Sequence, residues 1–196
     1  MSFRKEKKIK LLKGEKELLK SNLIKLGMEN IYPKRYTSSC YFDSKELICF
    51  HQSEDGILPR RKIRIRWYNN FPKFFKEEKI SSLEGRYKTS KTFNYKNFLN
   101  NYDLEIFSKY YGKLRPTLIV NYFREFYSYK GVRVTFDSNI NYINLRSFSR
   151  KKSYDQECVM EIKSPINTSD DFLNKIFPYS ETRFSKYCRG ILSFPR

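Results

Sequence analysis

The stretch RRKIRIRWY, residues 60–68, carries a cationic side chain at every second position. Because side chains of a β-strand alternate between its two faces, these cations would share one face, and the isoleucines and the tryptophan would point the other way. The cations on the shared face are Arg60, Lys62, Arg64 and Arg66. Grouped N–H donors of this kind bind phosphate oxygens, so the segment predicts chemistry on a phosphate-rich or polyanionic molecule.

Other strand-like segments also separate an apolar face from a charged face. They are SSLEGRYKT (81–89), TLIVNYFREFYSY (117–129), GVRVTFD (131–137) and ECVMEIKS (157–164). Their charged faces would carry Glu84, Arg86 and Lys88; Tyr122 and Arg124; Arg133, Thr135 and Asp137; and Glu157, Glu161 and Lys163. Each of these faces is an ordinary solvent face when taken alone, but the repetition of the pattern favours a shared role.

Like charges two residues apart on a strand lie roughly 6.6–7 Å from each other. Their repulsion is about 0.6 kcal/mol in water and ~2.4 kcal/mol at an effective dielectric near 20. Two arrangements tolerate this: an open sheet with a solvated basic face, or a barrel whose interior is a wet cationic tunnel. The carboxylates among the cations favour a phosphate-transfer site, because Mg²⁺ and Mn²⁺ take oxygen ligands while cations hold phosphate.

The composition limits the classes of protein that remain. The chain of 196 residues has 40 Lys+Arg against 21 Asp+Glu, a formal charge of +19, with 39% hydrophobic residues. This profile predicts one folded domain over residues 1–196 with an anionic partner, although part of the lysine content is compositional. The four cysteines form no CxxC pair, and no apolar segment reaches the ~20 residues of a membrane span. We therefore expect a soluble cytoplasmic protein without cysteine-metal or thiol chemistry.

Hydrophobic periodicity and turn residues predict an α+β fold dominated by antiparallel strands. The predicted strands are residues 3–9, 35–44, 60–68, 81–89, 117–129, 131–137 and 157–164. The predicted helices are residues 11–27, 94–111, 170–177 and 183–192.

Eight motifs, taken in order, resemble the VTC-type polyphosphate polymerase domain of the triphosphate tunnel metalloenzyme (CYTH-like) superfamily. They are FRKEKK, SSCYFDS, RRKIRIRWY, SLEGRYK, RPTLIVNYFREFY, VRVTFD, MEIKSP and RFSKY, and they run from residue 3 to about residue 191. The resemblance implies an antiparallel eight-stranded β-barrel tunnel with flanking helices. It also implies that the γ-phosphoryl group of ATP is transferred to a growing inorganic polyphosphate chain with Mn²⁺ or Mg²⁺.

The resemblance assigns roles to individual positions. The catalytic cations would be Arg64, Arg66, Arg124, Arg133 and Lys186. The phosphate-binding residues would be Arg4, Lys8, Arg60, Lys62, Arg86, Lys88, Tyr122, Lys163 and Ser185. Glu161 would bind the metal, with Glu6 or Glu84 as a second ligand.

Two positions depart from the pattern of the superfamily. The pair Gly85-Arg86 stands where an apolar residue and a lysine are usual, so phosphate would be held differently there. The first strand carries one acid, Glu6, where related triphosphate hydrolases show an alternating acidic pair. This difference favours a polymerase over a hydrolase.

Three other functions stay open: a metal-dependent triphosphatase of the same fold, a non-catalytic polyphosphate or anion-binding module, and a nucleic-acid-binding sheet. The last is disfavoured because Trp67, Tyr87 and Phe136 would face away from the cations. Some single residues also have ordinary structural explanations: Glu161 and Lys163 as a mutual ion pair, Glu84 and Arg86 likewise, Lys186 as a solvated cation, Tyr122 as core and Asp137 as a turn residue. We expect no membrane insertion, so export of a product would need membrane partner proteins; the oligomeric state stays open.

Overall fold

The computed structural model describes residues 4–69, 73–83, 85–94, 102 and 104–194, without the side chains of Arg4 and Arg86. The strands are β1 (Arg4–Leu12), β2 (Glu29–Asp43), β3 (Arg60–Tyr68), β4 (Phe74–Ser82), β5 (Gly85–Phe93), β6 (Ile106–Ser108), β7 (Gly112–Tyr129), β8 (Val132–Asn144), β9 (Lys152–Tyr154) and β10 (Glu157–Pro165). The helices are α1 (Lys13–Lys25), α2 (Ile48–Glu54), α3 (Asp170–Ile176) and α4 (Lys186–Leu192). No helix in this part of the chain is both long and apolar enough to cross a membrane.

The strands hydrogen-bond in the order β1-β10-β8-β7-β2-β3-β4-β5, with β6 paired to β7 and β9 paired to β8. The described registers are antiparallel. The predicted α+β class with an antiparallel sheet is therefore confirmed. The prediction was eight strands in a closed barrel, whereas the described residues form ten strands. β1 and β5 lie at the two ends of the strand order among these residues.

The chain divides into two compact units. Unit 1 comprises Met1–Tyr36, Tyr122–Ile140 and Asp155–Phe184, and unit 2 comprises Thr37–Asn121, Asn141–Tyr154 and Ser185–Arg196. The long strands β2, β7 and β8 each contribute residues to both units.

The core of unit 1 is built by strict alternation along its strands. Ile9 on β1, Met160 on β10 and Val134 on β8 point to the same buried layer, which α1 covers with Leu19 and Leu23. Alternation leaves the intervening residues of each strand on the opposite face, and these are the charged ones. The apolar side of the strands thus fixes the orientation of the charged side.

The core of unit 2 follows the same rule. Ile63, Ile65 and Trp67 of β3 are buried together with Cys40 and Phe42 of β2. The predicted separation of these residues from the cations of β3 is confirmed. Trp67 in this core and Phe136 in the core of unit 1 face away from the charged surfaces, as the sequence predicted.

Two predicted elements are wrong. Residues 106–108 of the predicted helix 94–111 form β6, because Ile106 pairs with Leu114 across a hairpin and packs in the core; residues 95–101 and 103 lie outside the described residues. The predicted strand 81–89 is two strands, since β4 ends at Ser82 and β5 begins at Gly85 with φ +140°. Leu83, expected on an apolar face, is 92% exposed between them.

Candidate functional site

The cations of β3 lie in register with polar residues on both neighbouring strands. Arg64 pairs with Tyr41 of β2 and with Glu77 of β4. Arg66 pairs with Ser39 of β2, and its Nε donates a hydrogen bond to Ser39 Oγ at 3.2 Å. The alternation of β3 therefore brings two guanidinium groups to the same face as a hydroxyl-rich strand.

Glu77 holds this group of cations together. Glu77 is 3% exposed, and its carboxylate accepts from Arg64 Nε and Nη2 at 2.8 and 2.7 Å, while Arg66 Nη1 lies 3.7 Å away. Lys88 of β5 forms an ion pair with its other oxygen. Burial alone would raise the pKa of Glu77, but Arg64, Arg66 and Lys88 lower it to about 2. Glu77 is thus a fixed negative charge that orders three cations.

Tyr41 joins the same group from β2. Its buried hydroxyl accepts a hydrogen bond from Arg64 Nη1 at 2.8 Å, and its ring stacks on Tyr187 of α4 at 4.9 Å. Burial opposes ionisation, but the charges of Arg64 and Arg66 prevail and lower the pKa of Tyr41 to about 8. The lowered pKa of this phenol indicates that the face has a positive electrostatic potential.

The first turn of α4 reaches β3 through Lys62. Ser185 caps this helix by accepting from the Cys188 backbone at 3.3 Å, and Lys62 Nζ donates to Ser185 Oγ at 2.8 Å. Lys186 is the first residue of α4 and is half-buried. Arg60 donates from Nη1 to the carbonyl oxygens of Gly56 and Ile57, both at 3.2 Å, so its guanidinium contacts the loop before β3.

In unit 1 the charged residues form rows across three strands. One row places Glu6 of β1 beside Lys163 of β10, which pairs with Arg133 of β8. The next row places Lys8 beside Glu161, which pairs with Thr135. The alternation predicted for each strand therefore places five charged residues on one face: Glu6, Lys8, Glu161, Lys163 and Arg133.

Glu161 is the central carboxylate of that face. It is buried, Lys163 Nζ lies 2.5 Å from its Oε1, and Arg124 Nη2 lies 3.8 Å from its Oε2. Burial raises the pKa of Glu161, but the charges of Arg124, Lys163 and Lys8 outweigh it and hold the pKa well below the usual range. Lys8 also contacts Glu6 at 3.5 Å and donates to the Phe184 carbonyl at 3.0 Å.

Arg124 is held by Asp137 in a two-pronged ion pair. Its Nε and Nη2 donate to the two carboxylate oxygens at 2.5 and 2.6 Å, and Asp137 is fully buried. Burial lowers the pKa of Arg124, but Asp137 reverses this and keeps the guanidinium charged. The explanation of Asp137 as a turn residue is wrong, because β8 continues to Asn144. Tyr122 is buried under Arg124, whose Cζ lies 5.4 Å from the ring centroid.

Two buried polar atoms of this face have no hydrogen-bond partner among the described residues. They are Arg133 Nε and Thr135 Oγ1, which lie two residues apart on β8. A buried N–H or hydroxyl without a partner costs free energy, so such atoms mark places where a ligand can supply the missing bond. Both belong to the rows that contain Lys163 and Glu161.

Two members of these groups, Glu77 and Tyr41, were not predicted as site residues. Glu77 lies in the segment KFFKEEKI (73–80), where strand alternation places it on one face with Lys79, and that alternation is the signal that could have found it. Tyr41 lies in the predicted strand 35–44 without a predicted role, whereas Asp137 was predicted on the charged face, with a turn as its ordinary explanation. Glu84 lies outside the described residues, as do the side chains of Arg4 and Arg86, so their predicted roles stay predictions.

The carboxylates of unit 1 offer a partial donor set for a divalent metal. No group of three or more His, Cys, Asp and Glu suited to a metal occurs in the described part of the chain. Mg²⁺ is commonly held by one or two carboxylates together with phosphate oxygens, so a full protein cage is not required. Glu161, which is ionised and pairs in register with Lys8, fits that partial donor set.

The VTC domain family matches residues 3–105 and 95–194, which together span nearly the whole chain. No curated protein matches this chain. The fold is similar to that of a protein from Hippeastrum, provisionally assigned as an adenylyl cyclase, with a dominant triphosphatase activity: TM-score 0.61, 13% identity, 96% of this chain and 95% of that chain covered.

Two bacterial proteins provisionally assigned as adenylate cyclases are also similar. The one from Bacillus halodurans has TM-score 0.57 and 17% identity, with 94% of this chain and 96% of that chain covered. The one from Vibrio parahaemolyticus has TM-score 0.55 and 14% identity, with coverages of 98% and 99%. At these identities the similarity concerns the fold alone, whereas the match to the VTC domain family confirms the family that the sequence resembles.

Proposed function

This chain belongs to the VTC domain family, and on that premise we propose that it is a metal-dependent polyphosphate polymerase. It would transfer the γ-phosphoryl group of ATP to the end of an inorganic polyphosphate chain. The observation that carries the proposal is Glu161, a buried carboxylate kept ionised by Lys163, Arg124 and Lys8. A carboxylate among cations suits a molecule that brings both phosphate oxygens and a divalent metal.

The reaction needs little covalent chemistry from the protein. A terminal oxygen of the acceptor phosphate forms a bond to the γ-phosphorus, and the bond from that phosphorus to the β,γ-bridging oxygen breaks, leaving ADP. The acceptor oxygen is already ionised, so no general base is required. Transfer then depends on positioning and on neutralising charge.

Each unit carries its own group of cations suited to phosphate. In unit 2, Arg64 and Arg66 have forked donors that can bridge two phosphate oxygens, and Glu77 holds both in place. In unit 1, Arg124 and Arg133 would neutralise phosphate oxygens, and Glu161 would bind Mn²⁺ or Mg²⁺, with Glu6 as a second ligand. When bound, the metal would neutralise the charge on the phosphate oxygens.

A triphosphatase is the second candidate. The Hippeastrum protein with a similar fold has a dominant triphosphatase activity, which supports hydrolysis of ATP or inorganic triphosphate as the alternative reaction. The two reactions use the same groups and differ in whether water or a phosphate chain accepts the phosphoryl group. A single acid, Glu6, in β1 supports the polymerase. We extend the proposal to a cytoplasmic site of action, with membrane partner proteins for any export of the product.

The test is incubation of pure protein with ATP and Mn²⁺, followed by phosphorus NMR of the products. A polymerase gives a signal from phosphates in the middle of a chain, together with ADP. Orthophosphate as the sole new product means a triphosphatase. No product, with measurable ATP binding, means a binding module and overturns both catalytic proposals.

A further inference from the structure

Unit 1 contains two arginines that contact the same aromatic ring. The guanidinium carbons of Arg35 on β2 and Arg133 on β8 lie 5.5 and 5.4 Å from the ring centroid of Phe126 on β7. Tyr32 meets Phe126 edge-on at 5.9 Å, and Arg35 also lies 5.9 Å from the Tyr32 ring. We call these four residues the Phe126 stack.

Neither arginine of the Phe126 stack has a carboxylate within ion-pair distance among the described residues. They differ in this from Arg61, Arg64 and Arg124, which are paired with Glu78, Glu77 and Asp137. An aromatic ring attracts a guanidinium while leaving its N–H donors available to an anion. Arg133 Nε is buried without a hydrogen-bond partner, so the stack also has an unused donor.

The stack continues the charged face of unit 1. Arg133 pairs with Lys163, whose ammonium contacts Glu161, and Phe126 lies two residues beyond Arg124 on the same face of β7. Exposure rises in this direction: Phe126 is buried, Arg133 is half-buried, Arg35 is exposed and Tyr32 is 48% exposed. The face thus runs from the buried Arg124–Asp137 pair to a solvent-exposed guanidinium.

We propose that the Phe126 stack extends the phosphate site of unit 1 as a subsite that holds the polyphosphate chain beyond the triphosphate group, with Arg133 as the shared inner contact and Arg35 as the outer contact. This inference rests on the proposed function, because it names the part of the substrate that leaves the reaction site. Two neighbouring cations without a carboxylate repel each other, and a chain of phosphates relieves that repulsion. In this proposal a triphosphate uses the buried end of the face, and only a longer chain extends to Arg35.

The experiment compares Arg35→Ala with Lys34→Ala by calorimetry, using inorganic triphosphate and a long polyphosphate of defined length. Lys34 is the adjacent exposed cation and lies 4.6 Å from the ring of Phe123, so both variants remove one charge from one strand. We expect Arg35→Ala to weaken binding of the long chain about 10-fold, the loss of one charge-assisted contact, and to leave triphosphate binding unchanged. Lys34→Ala should change neither, and Arg35→Lys should restore part of the affinity.

Equal losses in the Arg35 and Lys34 variants would mean general electrostatic attraction and would overturn the subsite. A loss of triphosphate binding as large as that of the long chain would also overturn it. These measurements do not need turnover. If Arg35→Ala weakens binding of the long chain alone but the protein makes no polyphosphate, the subsite stands and the polymerase is rejected. If the protein makes polyphosphate but Arg35→Ala leaves long-chain binding unchanged, the polymerase stands and the subsite is rejected.

Discussion

The charged groups of the two units differ in how far carboxylates neutralise their cations. In unit 1, Lys8, Lys163 and Arg124 contact or face three carboxylates, Glu6, Glu161 and Asp137. In unit 2, three cations share one carboxylate: Arg64, Arg66 and Lys88 surround Glu77. Arg133 lies on the same face of unit 1, so four cations stand there against three carboxylates, an excess of one positive charge. Three cations against one carboxylate in unit 2 leave an excess of two.

This difference shows what each group is suited to bind. A group that contains several ionised carboxylates among its cations can accept a metal and an anion together, since each new charge meets its opposite. A group with excess positive charge attracts phosphate without a metal. The predictions below test this contrast, beginning with the largest effect.

Replacing Asp137 with Asn should cost about 3–5 kcal/mol in the free energy of unfolding, because the buried Arg124 guanidinium loses its counter-charge. Urea unfolding at neutral pH measures it. Glu78→Gln is the matched control: it breaks the half-exposed 2.7 Å pair with Arg61 and should cost no more than about 1 kcal/mol. Similar costs for the two variants would contradict the assignment of Arg124–Asp137 as the buried anchor of unit 1.

The stability that Glu77 provides should disappear in acid. Its pKa in the folded protein is about 2, below the ordinary value of 4.5, so the unfolded chain takes up the proton first. The contribution, of the order of 3 kcal/mol, is complete above about pH 5 and falls as the pH drops toward 2. Urea unfolding at several pH values should show the gap between wild type and Glu77→Gln closing over that range. A constant gap would contradict this.

Glu161→Gln should lower metal-dependent turnover at least about 100-fold while leaving triphosphate binding without metal measurable, because the amide cannot replace the charged ligand. Activity measured across a Mn²⁺ titration tests this. Glu77→Gln serves as the comparison, and its metal response should keep the wild-type midpoint. If both variants shift that midpoint equally, the metal does not belong to unit 1.

Arg64→Ala should weaken triphosphate binding by about 1.5–3 kcal/mol, the range for a hydrogen bond to a charged group. Calorimetry without metal isolates this phosphate contact. The control is Arg61→Ala, because Arg61 lies on the opposite face of β3 with its guanidinium carbon 3.7 Å from the centroid of the Tyr110 ring. Arg61→Ala should leave affinity unchanged, and an equal loss there would mean that net charge alone governs binding.

The smallest effect concerns Tyr41, whose pKa is about 8. Above that pH the phenolate adds a negative charge beside Arg64, Arg66 and Lys62, so triphosphate affinity should fall, by less than about tenfold, between pH 7 and pH 9. Tyr41→Phe removes this step and should show a flatter profile. A profile unchanged by the substitution would place the titrating group elsewhere.

The sequence predicted most of the face-by-face arrangement because alternation is a local property of a strand. RRKIRIRWY forms β3 with the expected bounds, and its isoleucines are buried while Arg60, Lys62, Arg64 and Arg66 lie on the other face. Glu161 and Lys163 share a face for the same reason. The secondary structure of residues 94–111 was harder to predict, because apolar residues spaced by four indicate a helix. The strand at Ile106 becomes evident only from its pairing with Leu114 of β7.

The sequence by itself determined which face of its strand each side chain occupies, and therefore which side chains join the core and which join the charged face. The tertiary structure decided which charges meet. Nothing local indicates that Arg64 pairs with Glu77, that Asp137 anchors Arg124, or that Arg35 and Arg133 share the Phe126 ring, because these contacts join residues of different strands. Strand order and register set those distances, and Coulomb interactions depend on distance, so the electrostatics of the candidate site belong to the folded protein.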